Sequence, residues 1–254
     1  MTNFTNTTKK LHKLADVCPF DFRGLIISLP NDDDGFLGHG ADLSASTLLH
    51  AYRCGAFPWF NEGDPIYWWS PPTRCVIDPK TFKPSKSLVR VVKKQTWTLS
   101  VNHDFNNVMD ACSQPRNYSN QTWITKSMKD AYQDLHKLGI AVSIEIWENI
   151  PNQSALIGGL YGINLGGLFC GESMFHKKTD ASKVAFWGLM RICQNYGIQL
   201  IDCQLENLHL IHLGATLISR REFLTQSKPL TVKENCGIYN TKISLPVTDL
   251  ITSI

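Results

Sequence analysis

"NIPNQSALIGGLYGINLGGLFCG", residues 149–171, is a run of 23 residues without a charge, and a carboxylate, Glu172, follows it at once. The run reaches the roughly 20 residues that cross a bilayer. Its composition argues otherwise, because it holds Pro151, Asn152, Gln153, Asn164 and six glycines. Asn164-Leu165-Gly166-Gly167 is a hairpin turn signal. The stretch therefore predicts two buried strands, roughly 155–163 and 167–175, and no membrane span. The question it leaves is why a lone carboxylate closes an apolar hairpin.

Outward from the hairpin, the pattern is regular. "AVSIEIWE" alternates Val142, Ile144 and Ile146 with Ser143, Glu145 and Trp147, a strand. Before it, "TWTLSVNHDF" predicts a strand, and "TKSMKDAYQDLHKLG" a helix capped by Thr125 and stopped by Gly139. After the hairpin, "DASKVAFWGLMRICQNYG" places Ala185, Leu189, Ile192, Cys193 and Tyr196 on one helical stripe, with Gly197 as the stop. "IQLIDCQ" reads as a buried strand, "NLHLIHLG" as a short helix closed by Gly214, and "ATLISRREFL" as a strand running into an irregular tail. Antiparallel strands followed by helix, strand and helix predict a mixed-sheet α/β domain, an arrangement frequent among N-acyltransferases.

The N-terminal part differs. Residues 1–22 read as a loose polar arm, "GLIISLP" from Gly24 as a strand, and "NDDDG" as a turn. Ser44 caps a helix that Gly55 ends. "AFPWFNEGDPIYWWSPPTR" crowds Phe57, Trp59, Phe60, Tyr67, Trp68 and Trp69 among Pro58, Pro65, Pro71 and Pro72, an aromatic loop stiffened by proline. A boundary after it divides the chain into a small N-terminal domain, 1–72, and a larger one, 73–254. "KTFKPSKSLVRVVKK" carries six bases and no acid. From Ser85 it predicts a helix with Lys86, Arg90, Lys93 and Lys94 on one face and Leu88, Val89 and Val92 on the other.

The chain has 254 residues, 43% hydrophobic and 19% charged, with a net charge of +3. That is a globular composition, and the charge permits a nucleic-acid partner without requiring one. Eight cysteines stand at 18, 54, 75, 112, 170, 193, 203 and 236, with no CxxC pair. The first twenty residues show no apolar signal segment, so the expectation is reduced, buried thiols in a cytosolic protein. No extended heptad argues for an oligomer, and a monomer is expected.

Asp202 and Gln204 stand two apart at the carboxyl end of a strand, where open α/β sheets build ligand crevices. With Glu172 they could orient an amine and stabilise transient charge; as isolated residues they read equally as solvated or capping groups. His209 and His212 lie three apart on a helix without a third ligand at a recognisable spacing, so no metal is expected. Neither a phosphate loop nor a dinucleotide glycine pattern occurs. The coenzyme A signature [Gln/Arg]-x-x-Gly-x-[Gly/Ala] is also missing; "HKLGIA" comes nearest, with His136 in the first position. The aromatic loop reads either as packing or as a stacking surface for a base, and the basic helix either as a solvated face or as a phosphate contact.

"GFLGHGADLSASTLLHAYRCGAFPWF", "PIYWWSPPTR", "TWIT", "IGGLYGINLGGLFCGESMF", "ASK" and "LIDCQ" stand in this order and cover about residues 24–224. Together they resemble the leucyl/phenylalanyl-tRNA–protein transferase family. The resemblance implies a small N-terminal domain joined to an acetyltransferase-like domain. It implies transfer of Leu or Phe, and less readily Met, from aminoacyl-tRNA to proteins that begin with Arg or Lys, creating a degradation signal without a cofactor. On this resemblance Asp202, Gln204 and Glu172 are catalytic. Leu160, Met174, Phe186 and Leu189 form the amino-acid pocket. Trp59 and Trp123 hold the terminal adenosine, and Lys86 and Arg90 meet the acceptor stem. The chain departs from the family pattern at Val142 before "SIE", at His176 after "GESMF", in "SPPTR", and at His212 and Ser219-Arg220. Leu189 and Cys193 are smaller than the family's residues and Phe186 is bulkier, which bears on the balance between Leu and Phe. A coenzyme A-dependent acetyltransferase and a non-catalytic RNA-binding module are the competing readings.

Overall fold

The computed structural model describes residues 18–30, 34–115, 122–151, 153–233, 237–240 and 243–252. Most of the polar arm, the centre of the "NDDDG" turn and Cys236 lie outside the described residues.

The first element corrects the sequence reading. "GLIISLP" is not a strand; α1 spans Phe22–Ser28. The side chain of Asp21 accepts the Gly24 N–H at 2.9 Å, and Phe22 and Ile26, one helical turn apart, are buried while Leu25 and Ile27 face solvent. Burial of one helical stripe outweighs the strand preference of two adjacent isoleucines. β1 (Phe36–His39) precedes α2 (Ala45–Cys54). Ser44 accepts from Thr47 N–H and Gly55 closes α2 at φ +87°, as the sequence predicts. The aromatic segment is more regular than a loop. β2 (Phe57–Pro58) and β3 (Tyr67–Trp69) form a small antiparallel sheet with β1, in the order β1-β3-β2.

The large sheet begins with β4 (Thr73–Ile77). Then come α3 (Lys86–Lys94), β5 (Thr98–Val101), α4 (Phe105–Cys112) and α5 (Lys126–Lys137). Ser85 and Thr125 cap α3 and α5 as expected. α4 was not anticipated; Asp104 caps it, and Phe105, Val108, Met109 and Cys112 form its buried face. β6 (Ala141–Ile150), β7 (Gln153–Leu165) and β8 (Leu168–His176) follow, then α6 (Ala181–Asn195) and β9 (Leu200–Gln204). α7 (Leu208–His212), β10 (Thr216–Ser219), α8 (Arg220–Thr231) and β11 (Ser244–Pro246) complete the chain. α8 replaces the expected irregular tail. Ser219 caps it, and Phe223 and Leu230 anchor its buried side, even though Pro229 stands in its last turn.

The eight strands run in the order β10-β4-β9-β8-β7-β6-β5-β11. Every neighbouring pair is antiparallel except β8 and β9, which are parallel and joined by the crossover helix α6. This is the mixed-sheet α/β arrangement expected from the strand and helix order. Gly166-Gly167 makes the two-residue turn of the β7–β8 hairpin, with Gly166 at φ +62°. The sheet lies between two apolar cores. α6 and α3 cover one face, with Leu88, Val92, Phe186 and Leu189 against Ile144 and Leu160. α2, α4, α5 and α8 cover the other, with Tyr52, Met109, Tyr132 and Phe223 against Tyr161 and Ile163. Phe57 and Trp68 of the small sheet share this second core. No helix among the described residues is long and apolar enough to cross a membrane.

Candidate active site

Two irregularities in the sheet create the site. On β8, Gly171 pairs with Gly162 and Ser173 with Tyr161, which leaves Glu172 as an extra residue between them. On β9, Gln204 pairs with Cys75 and Asp202 with Val76, which leaves Cys203 as the extra one. Each is a β-bulge, a device that re-aims a side chain at the end of a ladder. Gly162 opposite the first bulge has to lack a side chain, since a Cβ there would stand 2.3 Å from the Cys170 carbonyl oxygen. The parallel pairing of β8 and β9 runs from Leu168↔Leu200 to Cys170↔Asp202. Beyond that rung the two strands part, with Glu172 in the middle of β8 and Gln204 at the carboxyl end of β9, where such sheets open a crevice.

Glu172 and Gln204 bridge the parting. The Gln204 amide Nε2 donates to Glu172 Oε1 at 2.9 Å. Tyr52 of α2 donates its hydroxyl to Oε1 at 2.7 Å, and Tyr132 of α5 donates to Oε2 at 2.9 Å. The two hydroxyls also touch each other. Glu172 keeps some exposure as a residue, but these partners enclose its carboxyl. Burial raises its pKa to about 7; the hydroxyls of Tyr52 and Tyr132 oppose the rise and the charge of Asp202 adds to it. Burial and the neighbouring carboxylate push both phenols well above their ordinary value, so they remain donors at neutral pH.

Asp202 is 0% exposed. Arg74 of β4 grips both its oxygens, Nε on Oδ1 at 2.8 Å and Nη2 on Oδ2 at 2.6 Å. Oδ1 also accepts the Gln204 backbone N–H at 2.9 Å. Arg74 donates Nη1 to the Gly55 carbonyl at 3.1 Å and lies over the rings of Phe57 and Phe223, 4.9 and 4.5 Å from their centres. A bidentate, fully satisfied pair of this kind is rigid. It has a consequence for the sequence reading. Asp202 does not stand beside Gln204 facing the crevice; the bulge interrupts the two-residue alternation, and Asp202 instead holds Gln204 from behind. Gln204 sits at φ +63°, a left-handed conformation that non-glycine residues adopt at a cost of about 1–2 kcal/mol.

The four pocket candidates lie together on the α6 face. Leu160 and Met174 are register partners on β7 and β8, and Leu160, Phe186 and Leu189 are buried in the same core, against which Met174 packs. Phe186 meets Phe82 edge-on, ring centres 5.7 Å apart. Trp59 is 43% exposed and stands edge-on to Trp69, whose Nε1 donates to the Trp59 carbonyl. Trp123 packs half-buried on the opposite core, the side that holds Tyr52 and Tyr132. Lys86 and Arg90 are exposed on α3, which covers the α6 side. Trp123 and the basic helix therefore flank opposite faces of the sheet.

Arg74, Tyr52 and Tyr132 complete the hydrogen-bond network of the candidate site, and the sequence reading did not single them out. Arg74 ends the quoted "SPPTR", but nothing local connects it to Asp202, 128 positions away. A second buried carboxylate, Glu145, is structural. It accepts from Ser100, Ser143 and the backbone N–H groups of His103 and Asp104, and so ties the end of β5 to β6.

Residues 76–228 match the family model described as leucyl/phenylalanyl-tRNA protein transferase, and residues 41–72 match the model of that protein's N-terminal domain. A leucyl/phenylalanyl-tRNA–protein transferase of Psychrobacter cryohalolentis is 47% identical over 204 residues, 76% of this chain and 73% of that one. One from Shewanella sediminis is 48% identical over 197 residues, 78% of this chain and 82% of that one. Among solved structures, FemX aligns with a TM-score of 0.47 and 10% identity over 68% of this chain and 66% of the other. The chain belongs to the leucyl/phenylalanyl-tRNA–protein transferase family.

Proposed function

We propose that the protein transfers Leu or Phe, and less readily Met, from aminoacyl-tRNA to the N-terminal Arg or Lys of an acceptor protein. The observation that carries this reading is the Glu172–Gln204 bridge at the parting of β8 and β9. The donor ester is already activated, and its exchange for an amide runs downhill. The amine nitrogen attacks the ester carbon, the bond to the ribose oxygen breaks, and one proton passes from nitrogen to the released hydroxyl. Such a reaction needs positioning more than driving force.

The hydrogen bonds suggest a division of labour. Gln204 commits its Nε2 to Glu172, which leaves its Oε1 free to accept an N–H from the incoming amine. Glu172, poised near neutrality, steadies the cation that the amine becomes in the transition state. Asp202 and Arg74 are positioning residues that fix the Gln204 backbone. Leu160, Met174, Phe186 and Leu189 receive the side chain, and an apolar pocket of this kind discriminates by only about 1–3 kcal/mol per methylene, so some Met is accepted. Trp59 and Trp123 stack the terminal adenosine, and Lys86 and Arg90 meet backbone phosphates. On the same reading, residues 1–72 form the N-terminal domain, the protein is a cytosolic monomer, and it needs no cofactor.

The test is transfer of radiolabelled Phe or Leu from tRNA to a peptide beginning with Arg. Label appears in that peptide and not in one beginning with Asp. Transfer from neither charged tRNA overturns the reading.

A further inference from the structure

Cys75 and Cys203 meet across the second bulge. Cys203 is the extra residue on β9, and in a bulge two residues face one on the partner strand, here Cys75 of β4. Both thiols are reduced, and both lie on the α6 face of the sheet. Cys75 is buried in that core and Cys203 is half-buried against it. Cys170, whose charge is also felt at Cys203, belongs to the opposite core. Side chains opposed across a ladder have Cβ atoms roughly 4.5–5.5 Å apart, and a disulfide holds them at about 3.5–4.5 Å. The two thiols therefore stand about 1 Å short of a bridge. They already touch. The Cys203 S–H donates to Cys75 and holds the Cys75 thiol below its ordinary value, against its burial. The same bond pushes Cys203 up, and burial adds to the rise.

The neighbours of this pair belong to the candidate site. Arg74 precedes Cys75, and Asp202 and Gln204 flank Cys203. Arg74 grips both oxygens of Asp202, so that side of the bulge is pinned. Gln204 is tied more lightly, by its backbone N–H to Asp202 and by one amide bond to Glu172. Its backbone already stands in the left-handed region, at φ +63°. Drawing Cys203 toward β4 by about 1 Å therefore moves Gln204 rather than Asp202, and parts its amide from Glu172.

We propose that Cys75 and Cys203 are a redox pair, closed to a disulfide by a peroxide and reopened by a thiol, and that closure stops transfer by displacing Gln204. The effect on transfer rests on the function proposed above; the bridge does not. Cys203 has the solvent exposure and meets the oxidant. Its thiolate attacks one peroxide oxygen, the O–O bond breaks, and the leaving hydroxide takes up the thiol proton as water, which leaves a sulfenic acid. The Cys75 sulfur then attacks the Cys203 sulfur. The S–S bond forms, the S–O bond breaks, and the Cys75 proton leaves in a second water. Two thiols lose two electrons and two protons, and one peroxide becomes two waters.

The full chain is treated with hydrogen peroxide, and its peptides are mapped by mass spectrometry without reduction. The map shows a bridge between residues 75 and 203, and titration in urea finds two of the eight thiols lost. Transfer from Phe-tRNA to the Arg-peptide falls about 100-fold, the cost of misplacing a reacting group by about 1 Å, and dithiothreitol restores it. Cys75→Ala and Cys203→Ser each match untreated wild type and keep that rate after peroxide; two variants guard against one that fails to fold. A map without the bridge overturns the proposal. So does a bridged protein at full activity, and so do variants inactivated as fast as the wild type. A wild type with no transfer before peroxide sinks the transfer reading instead, and the map then decides the redox pair on its own.

Discussion

Replacing Glu172 by Gln tests the electrostatics of the site through folding alone. The carboxyl has a pKa of about 7 in the folded chain against 4.5 when free. A pKa raised by folding means that the native state holds its proton more tightly than the unfolded one does. Stability from this group is then fully present below pH 4.5 and is lost as pH rises through 7. The difference of 2.5 between those two values, at 1.36 kcal/mol each, amounts to about 3 kcal/mol. For a chain of this size that is about 6–12 °C in Tm. Gln is isosteric, has no proton to lose, and keeps an oxygen for a tyrosine hydroxyl. Urea denaturation of both proteins at half-unit steps from pH 4.5 to 8.5, subtracting one curve from the other, removes the contribution of every other group. The wild type loses about 3 kcal/mol more than Glu172→Gln across the window, with the midpoint of the loss near neutrality. Transfer by the wild type rises over the same interval, because the ionised form that weakens the fold is the one that steadies the attacking amine. Parallel stability curves would refute the reasoning, and so would a wild type that gains stability relative to the variant as pH rises.

Arg74→Ala strands the Asp202 carboxylate in the core and costs about 3–5 kcal/mol, read as a Tm lower by about 6–20 °C. The double change Arg74→Met/Asp202→Leu recovers most of that stability but not transfer. Gln204→Asn keeps a residue that tolerates the left-handed conformation, so urea stability stays within about 1 kcal/mol, but the shorter amide no longer reaches Glu172 and kcat falls about 100-fold. Lys86→Ala and Arg90→Ala each reduce the slope of log KM for Phe-tRNA against log salt by about one, measured between 50 and 200 mM salt, and leave kcat unchanged.

Local chemistry made much of this molecule legible from its sequence. Ser44, Ser85 and Thr125 cap helices where spacing says they do, and Gly166-Gly167 turns the hairpin that sets the sheet. Errors arose where tertiary burial decided the outcome. Gly24–Pro30 carries a strand-like run, but the burial of Phe22 and Ile26 makes the segment helical. α8 contains Pro229 and several hydroxyl residues, and it is helical because Phe223 reaches the Arg74 guanidinium and Leu230 the core. The bridge between Glu172 and Gln204 was foreseeable only as a grouping of residue types. Its depth was not. Tyr52, Tyr132 and Arg74 come from three distant elements, and no periodicity marks a tyrosine whose hydroxyl will meet a carboxylate 120 residues later. Nor does alternation announce a bulge, so Asp202 looked like a partner in the crevice when it is a buried anchor.

The extra residues at 172 and 203 separate two tasks that a regular ladder would couple. In an unbroken strand, turning one side chain toward the substrate would force its neighbours two places away to turn with it. Here Ser173 resumes pairing with Tyr161, and Met174 with Leu160, immediately past the interruption. On the proposed function, alterations at 160, 174, 186 or 189 therefore retune which amino acid is accepted without moving the acid–amide bridge, and substrate preference drifts while the chemistry stays in place.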